Sequence, residues 1–381
     1  MALFDGWMDA ETWEGSKVHE SFTSYETPTG HICLMQGERG EPLEFLSLGD
    51  YGKQKNIKAD FLGLTREING VPHGELLPLE QKWVITISPQ YGCSMGCKFC
   101  DVPKVGPGTN ATMFDLLAQV FYAISLHPEV TRTDRLNLHF ARMGEPTFNP
   151  TILSAVSILK ERFVEKGWGF HPVISTMMPR KNKYLWAFLH QWLFMKNTIL
   201  GGEAGLQLSI NTTNIDARSE TMPEAMYLPH IADMMRDLLK STGAFVGRKI
   251  ALNFALTDSD IIAPYLRYLF DPKYFMCKIT PMHNTVSAVD NGLITLNGYK
   301  SYYPYQSVER DLKAAGFDVI VFIPSQEEDN SRITCGNAIL ALHPDCPDCG
   351  GCGYTVEPNP DDLDGEPIQM PCRTCVGYGK V

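Results

Sequence analysis

Three closely spaced cysteines, Cys93, Cys97 and Cys100, are the residues whose types and spacing most directly suggest chemistry. They form a C-x3-C-x2-C loop directly after a strand-length apolar run that begins at Trp83. Three thiolates can hold three irons of a [4Fe-4S] cluster, which leaves the fourth iron open to a small chelating ligand. A structural zinc site or an electron-transfer cluster is the alternative interpretation. Each of these normally needs a fourth protein ligand, and none is near in the sequence.

A second motif, Met-Gly-Glu-Pro-Thr at residues 143–147, follows another strand-like run. Gly144 lets the backbone approach a ligand closely, and the Glu145 carboxylate can accept hydrogen bonds from an ammonium group. The alternative is an ordinary strand-end turn with a solvated glutamate.

The elements that must position both motifs alternate along the chain from Trp83 onward. Strands are expected at Trp83 to Ser88, Leu136 to Phe140, Val173 to Thr176, Leu206 to Asn211, Ile250 to Ala255, Cys277 to Pro281 and Val319 to Ile323. Helices are expected at Met113 to Leu126, Ile152 to Phe163, Tyr184 to Met195, Glu224 to Leu239 and Val308 to Ala315. Repeated β-then-α units imply a parallel sheet, and this many favour a full or partial barrel whose working residues lie at the carboxyl ends of the strands.

The two motifs resemble those of the radical S-adenosylmethionine (SAM) superfamily. In that superfamily, the open iron binds SAM and passes it an electron, which yields a 5′-deoxyadenosyl radical. Met-Gly-Glu-Pro with Asn149 is similar in particular to the RlmN/Cfr family, whose members methylate C2 or C8 of adenosine in RNA. The resemblance covers about residues 76 to 340. It implies an α/β fold built on a partial (β/α)6 TIM-type barrel, a methyltransferase activity and an RNA substrate, with an electron donor of the flavodoxin or ferredoxin type.

The resemblance also implies which residues bind SAM. Gly144 and Glu145 match the motif that binds the SAM amino group, and further contacts are implied for Ser175, Ser209 and Asn211. Asn211 stands where the family has histidine. The segment Thr280 to Asn284 contains one residue more than the family's pattern, so either His283 or Asn284 takes the SAM-binding place. Each polar residue taken singly is more often a strand-end cap, so the ordered set carries the prediction.

Thr334-Cys335-Gly336-Asn337 resembles the family's Ala-Cys-Gly-Gln. In that family the cysteine is first methylated by one SAM, and its methyl group then becomes the reactive carbon. The resemblance therefore implies that Cys335 is the methyl carrier, a role that suits a thiolate because it is a strong nucleophile. The competing interpretation is a small, buried, apolar cysteine.

Two positions depart from the family's pattern. A second family cysteine helps to release the methylated RNA, and Thr86 stands in its place. Threonine has no thiolate chemistry, so release must proceed differently or the reaction itself differs. The alternative function is therefore direct attack of the 5′-deoxyadenosyl radical on another substrate. A family glutamate aligns near His73 and Glu75, and either could act as a base or be a simple loop residue.

The end of the chain carries two C-x-x-C-x-G-x-G turns and too few apolar residues for a core of its own. The turns resemble the paired knuckles of DnaJ-type zinc modules. Four thiolates would bind Zn²⁺ and supply the folding free energy, and they come from Cys346, Cys349, Cys372 and Cys375. A second iron–sulfur cluster is the alternative, and Cys352 is left over.

Composition sets the remaining limits. We expect a β-rich region at 1–80, a barrel at 81–340 and a zinc ribbon at 341–381 of the 381 residues. Eleven cysteines without a signal-peptide pattern or a long apolar run indicate a cytoplasmic, metal-binding protein that does not enter a membrane. The net charge of −11 argues against a surface that binds nucleic acid over its whole extent. A non-enzymatic adaptor stabilised by metals is a further alternative, and the oligomeric state is not predicted.

Overall fold

The computed structural model describes residues 22–27, 29–51, 76–257, 261–324, 328, 329 and 331–335, and the backbone alone of four further short strands. The strands, in chain order, are β1 (Phe22–Thr27), β2 (Gly30–Gln36), β3 (Pro42–Leu48), β4 (Glu67–Ile68), β5 (Val71–Pro72), β6 (Trp83–Ile87), β7 (Gln90–Gly92), β8 (Pro107–Asn110), β9 (Leu136–Phe140), β10 (Phe170–Thr176), β11 (Gly205–Ser209), β12 (Ile250–Leu256), β13 (Phe275–Pro281), β14 (Asp318–Val321), β15 (Tyr354–Glu357) and β16 (Ile368–Pro371). The helices are α1 (Met113–Ser125), α2 (Thr151–Glu165), α3 (Leu185–Asn197), α4 (Ile215–Thr221), α5 (Leu228–Ser241), α6 (Ala263–Leu269), α7 (Val286–Asp290) and α8 (Tyr303–Ala314), with 3-10 turns at Val102–Lys104 and Pro146–Phe148.

Ten strands form one sheet in the order β1-β2-β3-β6-β9-β10-β11-β12-β13-β14. From β6 to β14 every neighbouring pair is parallel, whereas β1, β2 and β3 form an antiparallel meander that pairs with the edge of β6. The prediction of an α/β fold with a mostly parallel sheet is confirmed. All seven strands expected from Trp83 onward are present, with ends that move by a few residues.

Local sequence explains where the elements begin. In β6, Trp83, Ile85 and Ile87 are buried while the residues between them are half-buried, as expected for a strand with two different faces. Helix α1 begins with a capping box, in which Thr112 Oγ1 accepts from the Asp115 backbone N and Asp115 Oδ2 accepts from the Thr112 backbone N. Helix α5 begins at Leu228, later than the expected Glu224. Pro229 therefore lies in the first turn, where a helix accommodates proline, and not in the interior, where proline would break a hydrogen bond.

The two faces of the sheet have different compositions. The face toward the helices carries the core, whose largest fully buried side chains include Trp83, Phe140, Trp192 and Phe254. The opposite face, called the inner face below, carries polar and half-buried residues. Strand register places Thr86 beside His139, and Ser209 beside Asn253. A polar inner face of a parallel barrel is suited to hold polar ligands.

Several predicted site residues lie outside the described residues, namely His73, Glu75, Cys346, Cys349, Cys372 and Cys375. Strands β15 and β16, which lie between the two cysteine pairs in sequence, form an antiparallel pair. Among the described residues, no helix is long and apolar enough to cross a membrane.

Candidate active site

The segment 92–101, called the cysteine loop below, turns sharply after β7. Gly92 has a φ of +71°, and a Cβ at this position would collide with the carbonyl oxygen of Gly106. The Cys93 backbone N donates to that same oxygen at 3.0 Å, and the Cys100 N donates to Cys97 O at 3.1 Å. The loop is therefore folded by its own backbone, which requires glycine at its start.

The three thiols of the cysteine loop are close to one another. Burial raises the pKa of Cys93 to about 11 and also raises the pKa values of Cys97 and Cys100. Negative charge on the neighbouring loop cysteines raises the values of Cys97 and Cys100 further. A positively charged metal centre would reverse this penalty on the thiolates. In the described part of the chain, no three His, Cys, Asp or Glu side chains converge on a single ion.

Asp101 fastens the cysteine loop to helix α7. Its buried carboxylate accepts from the backbone N of Val286 at 3.0 Å and of Ser287 at 2.8 Å, and also from the Ser287 hydroxyl. One residue before the helix, Thr285 Oγ1 donates to Phe99 O at 2.7 Å. The sequence analysis assigned no role to Asp101. Its position directly after Cys100 is the feature of the sequence that could have indicated one.

The Gly-Glu motif contacts Gln90, which lies in β7 two residues before the cysteine loop begins. Gly144 has a φ of +93°, and a Cβ there would collide with the Gln90 side chain. Gln90 Oε1 in turn accepts from the Glu145 backbone N at 2.7 Å. Close approach of backbone at Gly144, which was expected for a ligand, is also required here for packing.

Glu145 is buried and its carboxylate is fixed by four hydrogen bonds. Oε1 accepts from the backbone N and the hydroxyl of Thr147 and from the Thr176 hydroxyl, at 3.1, 2.7 and 2.7 Å. Oε2 accepts from the Met177 backbone N at 2.8 Å. Burial raises the pKa of Glu145, and these donors partly offset that effect. Oε2 accepts only one of the four hydrogen bonds, so it is the oxygen better placed to accept a further one from an ammonium donor.

The other predicted SAM contacts lie along the same edge of the sheet, at or just after strand ends. Ser175 and Ser209 are half-buried on the inner face of β10 and β11. Asn211 has a φ of +62° and is buried, and its Oδ1 accepts from the Ala255 backbone N at 3.1 Å. Asn284 is exposed, and its backbone N donates to Asp329 Oδ2 at 3.2 Å. Parallel strands thus bring Ser175, Ser209 and Asn211 to one edge.

Arg218 is a site residue for which the sequence analysis predicted no role. It is 3% exposed, and its Nη1 donates to the carbonyl oxygens of Ser209 and Ile210 at 3.0 and 2.5 Å. Nη2 is buried and has no hydrogen-bond partner among the described residues. Burial lowers the pKa of Arg218 to about 10, while negative charge on Cys97 raises it. An unpaired buried donor beside a thiolate fits an anionic group at this position.

Cys335 lies within electrostatic reach of the cysteine loop. After burial, the charge on Cys335 is the largest cause of the raised pKa of Cys100. Two residues earlier, Ile333 packs against Ile32 and Leu46, and Leu46 is the register partner of Thr86. The structure therefore places the predicted methyl carrier near Cys100, and the segment that precedes it near the strand that pairs with Thr86.

The chain is similar in sequence to proteins that are named as RNA methyltransferases. No family model matches the chain. Ribosomal RNA large subunit methyltransferase N of Nitrosopumilus maritimus is 30% identical over 208 residues, covering 53% of this chain and 55% of that protein. A probable dual-specificity RNA methyltransferase RlmN of Bacteroides fragilis is 26% identical over 274 residues, covering 67% and 72%. The chain thus has RlmN-like homologues at modest identity.

Among solved structures, a radical SAM methyltransferase from Sphaerobacter thermophilus matches with a TM-score of 0.56 at 21% identity, over 80% of this chain and 76% of that one. The chain shares the fold of that protein. It spans about half the length, or less, of the first curated relatives that it matches. The shared fold accounts for the placement of the cysteine loop and the Gly-Glu motif at the carboxyl ends of adjacent parallel strands, β6 and β9.

Proposed function

We propose that this protein is a radical SAM enzyme that methylates an sp2 carbon of an adenine in RNA and carries the methyl group on Cys335. The observation that supports this proposal best is the nearness of Cys335 to Cys100, which lies in the same loop as Cys93 and Cys97. The RlmN-like homologues, which are named as RNA methyltransferases, support RNA as the substrate class.

In this proposal Cys93, Cys97 and Cys100 hold a [4Fe-4S] cluster, which when bound supplies the electron that cleaves SAM reductively. Glu145 Oε2 would accept a hydrogen bond from the SAM ammonium group, and Arg218 Nη2 would donate to an anionic group beside Cys97. Ser175, Ser209, Asn211 and Asn284 would complete the SAM contacts. An electron donor of the flavodoxin or ferredoxin type would reduce the cluster, and His73 or Glu75 would serve as base.

The first chemical step would belong to Cys335. Its thiol loses a proton to solvent, and Sγ attacks the methyl carbon of SAM. The new bond from Sγ to carbon forms as the bond from the sulfonium sulfur to that carbon breaks, and S-adenosylhomocysteine leaves. A thiolate is suited to this displacement because it is a strong nucleophile.

Anaerobic reconstitution tests the proposal. Protein loaded with iron and sulfide is incubated with SAM that carries a labelled methyl group, a reductant and candidate RNAs. We expect the label on the peptide that contains Cys335 and then in RNA. Cys335→Ala should abolish both signals, whereas Cys277→Ala, which changes a thiol in the core, should retain them. Labelled RNA produced by the Cys335→Ala variant would refute the methyl-carrier role.

A second candidate function is direct attack of the 5′-deoxyadenosyl radical on another substrate. It is favoured by Thr86, which stands where the family has its second cysteine and whose register partner, Leu46, packs against Ile333. Two further described cysteines, Cys33 and Cys277, are fully buried in the core and cannot replace the family's second thiol. This alternative predicts release of 5′-deoxyadenosine with no methyl label on Cys335 or on RNA.

For the end of the chain we propose a structural zinc site formed by Cys346, Cys349, Cys372 and Cys375. Its support is the sequence pattern together with the antiparallel pairing of β15 and β16, in which Tyr354 and Pro371 are register partners. These two residues are the strand ends nearest in sequence to the two cysteine pairs. Metal analysis of Cys372→Ser should show the loss of about one zinc per chain with iron unchanged. Loss of iron instead would identify a second cluster.

A further inference from the structure

The segment 331–335, called the Cys335 segment below, is held by two buried side chains that lie outside it, one distant in sequence and one near. Arg142 and Asp329 make the contacts that fix it. We propose that Arg142 and Asp329 are positioning residues that hold Cys335 in place between the Gly-Glu motif and the cysteine loop. The effect on methylation rests on the proposed function. The positioning itself rests on the hydrogen bonds that Arg142 and Asp329 make with the Cys335 segment.

Arg142 ties the Cys335 segment to the Gly-Glu motif. Its Nη1 and Nη2 donate to the carbonyl oxygens of Ile333 and Arg332 at 2.9 and 2.6 Å, and its Nε donates to Glu44. The side chains of Arg142 and Glu44 are 2% and 0% exposed. The planar guanidinium directs its donors from three nitrogens in fixed directions, whereas an ammonium offers three rotatable donors from a single nitrogen. Because Arg142 lies two residues before Gly144, a short length of backbone joins the Cys335 segment, through Arg142, to the Gly-Glu motif.

Asp329 ties the same segment to the entrance of helix α7. Its Oδ1 accepts from the Thr334 hydroxyl at 2.5 Å and contacts His283 Nδ1 at 2.8 Å. Its Oδ2 accepts from the Tyr299 hydroxyl at 2.9 Å. The Asp329 side chain is 5% exposed, so its charge depends on these donors for stabilisation. The route continues from His283 to Thr285, which donates to the cysteine loop at Phe99 O.

These two anchors leave little freedom to the Cys335 segment. Arg332 adopts a left-handed φ of +58°, which a side-chain-bearing residue holds only when its surroundings enforce it. Ile333 packs in a small apolar cluster with Ile32 and Leu46. Cys335 follows directly after this fixed turn. Releasing either anchor should therefore let Cys335 move away from the methyl donor without removing any group of the cysteine loop.

The test compares three variants in cluster-loaded protein. Asp329→Asn keeps the volume but replaces one acceptor by a donor, and Thr334→Val removes only the hydroxyl link to Asp329. Arg142→Met combined with Glu44→Leu removes both members of the buried pair, because removing one alone would leave an unpaired buried charge. Asp311→Asn, at an exposed carboxylate of α8, is the matched control.

Two quantities are measured for each variant. The first is the rate at which iodoacetamide alkylates Cys335, followed by mass spectrometry of its peptide. We expect about a tenfold increase for the three test variants and none for the control, as loss of a hydrogen bond to a charged group predicts. The second is methylation of Cys335 by SAM, expected to fall about tenfold while iron content and reductive SAM cleavage change less than about twofold.

The outcomes separate the two proposals. Unchanged alkylation in all three variants would overturn the positioning role. If the unmodified protein never gains a methyl group on Cys335 while the alkylation rates rise as expected, the methyl-carrier function fails and the positioning role stands. If Asp329→Asn does not fold, Thr334→Val decides the question for that anchor. Equal loss of iron and of methylation would show that the anchors support the whole site rather than Cys335, and would also overturn the inference.

Discussion

The cysteine loop and the Cys335 segment bring thiols to the same site, but they are held in different ways. The loop is folded by short-range backbone hydrogen bonds and by Gly92, and it is fastened at its end by Asp101. The Cys335 segment is held by two charged side chains, those of Arg142, which is far away in sequence, and of Asp329, which is five residues from Thr334. This difference predicts that, apart from its cysteines, the loop depends more on its backbone conformation than on its side chains, and that the Cys335 segment depends strongly on the two side chains that anchor it.

The largest expected effect tests the backbone half of this comparison. Gly92→Ala should lose most of the iron bound by the cysteine loop, because the methyl group would collide with the Gly106 carbonyl in a left-handed conformation. Gly167→Ala is a close control, since Gly167 has a φ of +72° and open space around it. The control substitution should cost only about 1 kcal/mol of stability, because alanine is less favourable than glycine in a left-handed conformation. Iron and sulfide analysis with thermal unfolding measures both effects, and full iron binding by Gly92→Ala would contradict this account.

A smaller effect is expected where the cysteine loop does use a side chain. In the unmodified protein, the backbone N of Val286 and of Ser287 each donate to the charged Asp101 carboxylate. Asp101→Asn should weaken both hydrogen bonds, because the amide that replaces the carboxylate is neutral. Hydrogen bonds to charged groups contribute about 1.5–3 kcal/mol, so a chelator should remove iron about tenfold faster from this variant. The rate of iron loss to a chelator under anaerobic conditions measures this. A rate equal to that of the unmodified protein would mean that helix α7 does not stabilise the loop.

Sequence reasoning succeeded where structure is encoded locally. The alternation of buried residues in β6 and the spacing of Cys93, Cys97 and Cys100 are readable from neighbouring positions, and the seven parallel strands follow from such patterns. It did not predict Arg142 as an anchor, because two of its partners are backbone carbonyl oxygens, which any residue can offer. Asp329 was missed for a related reason. Its donors come from three separate segments that only the fold brings together.

The Cys335 segment should also respond to pH through Asp329. Burial works to raise the pKa of Asp329, but His283 and the neighbouring donors lower it overall. A lowered carboxyl pKa contributes stability that is present above the unfolded value of about 4 and is lost as the pH falls through the folded value. Asp329→Asn should therefore be about 2 kcal/mol less stable at pH 7, and the gap should shrink below about pH 4. Urea unfolding at several pH values measures the gap. A difference that stays constant into acid would mean that the carboxylate charge plays no part.

The smallest effect concerns the exposed side chain in the middle of the cysteine loop. Lys98 Nζ lies 2.9 Å from Glu220 Oε1, but these side chains are 40% and 71% exposed. Exposed ion pairs contribute about 0–1 kcal/mol, so Lys98→Ala should bind iron normally. The backbone of Lys98 is held independently, since its N donates to Thr221 O and its O accepts from Asn291 Nδ2, both at 3.0 Å. Asn291→Ala should consequently loosen the loop more than Lys98→Ala does, as judged by iron loss to a chelator. The reverse order would show that surface charge rather than backbone hydrogen bonding holds the loop, and the contrast with the Cys335 segment would then fail.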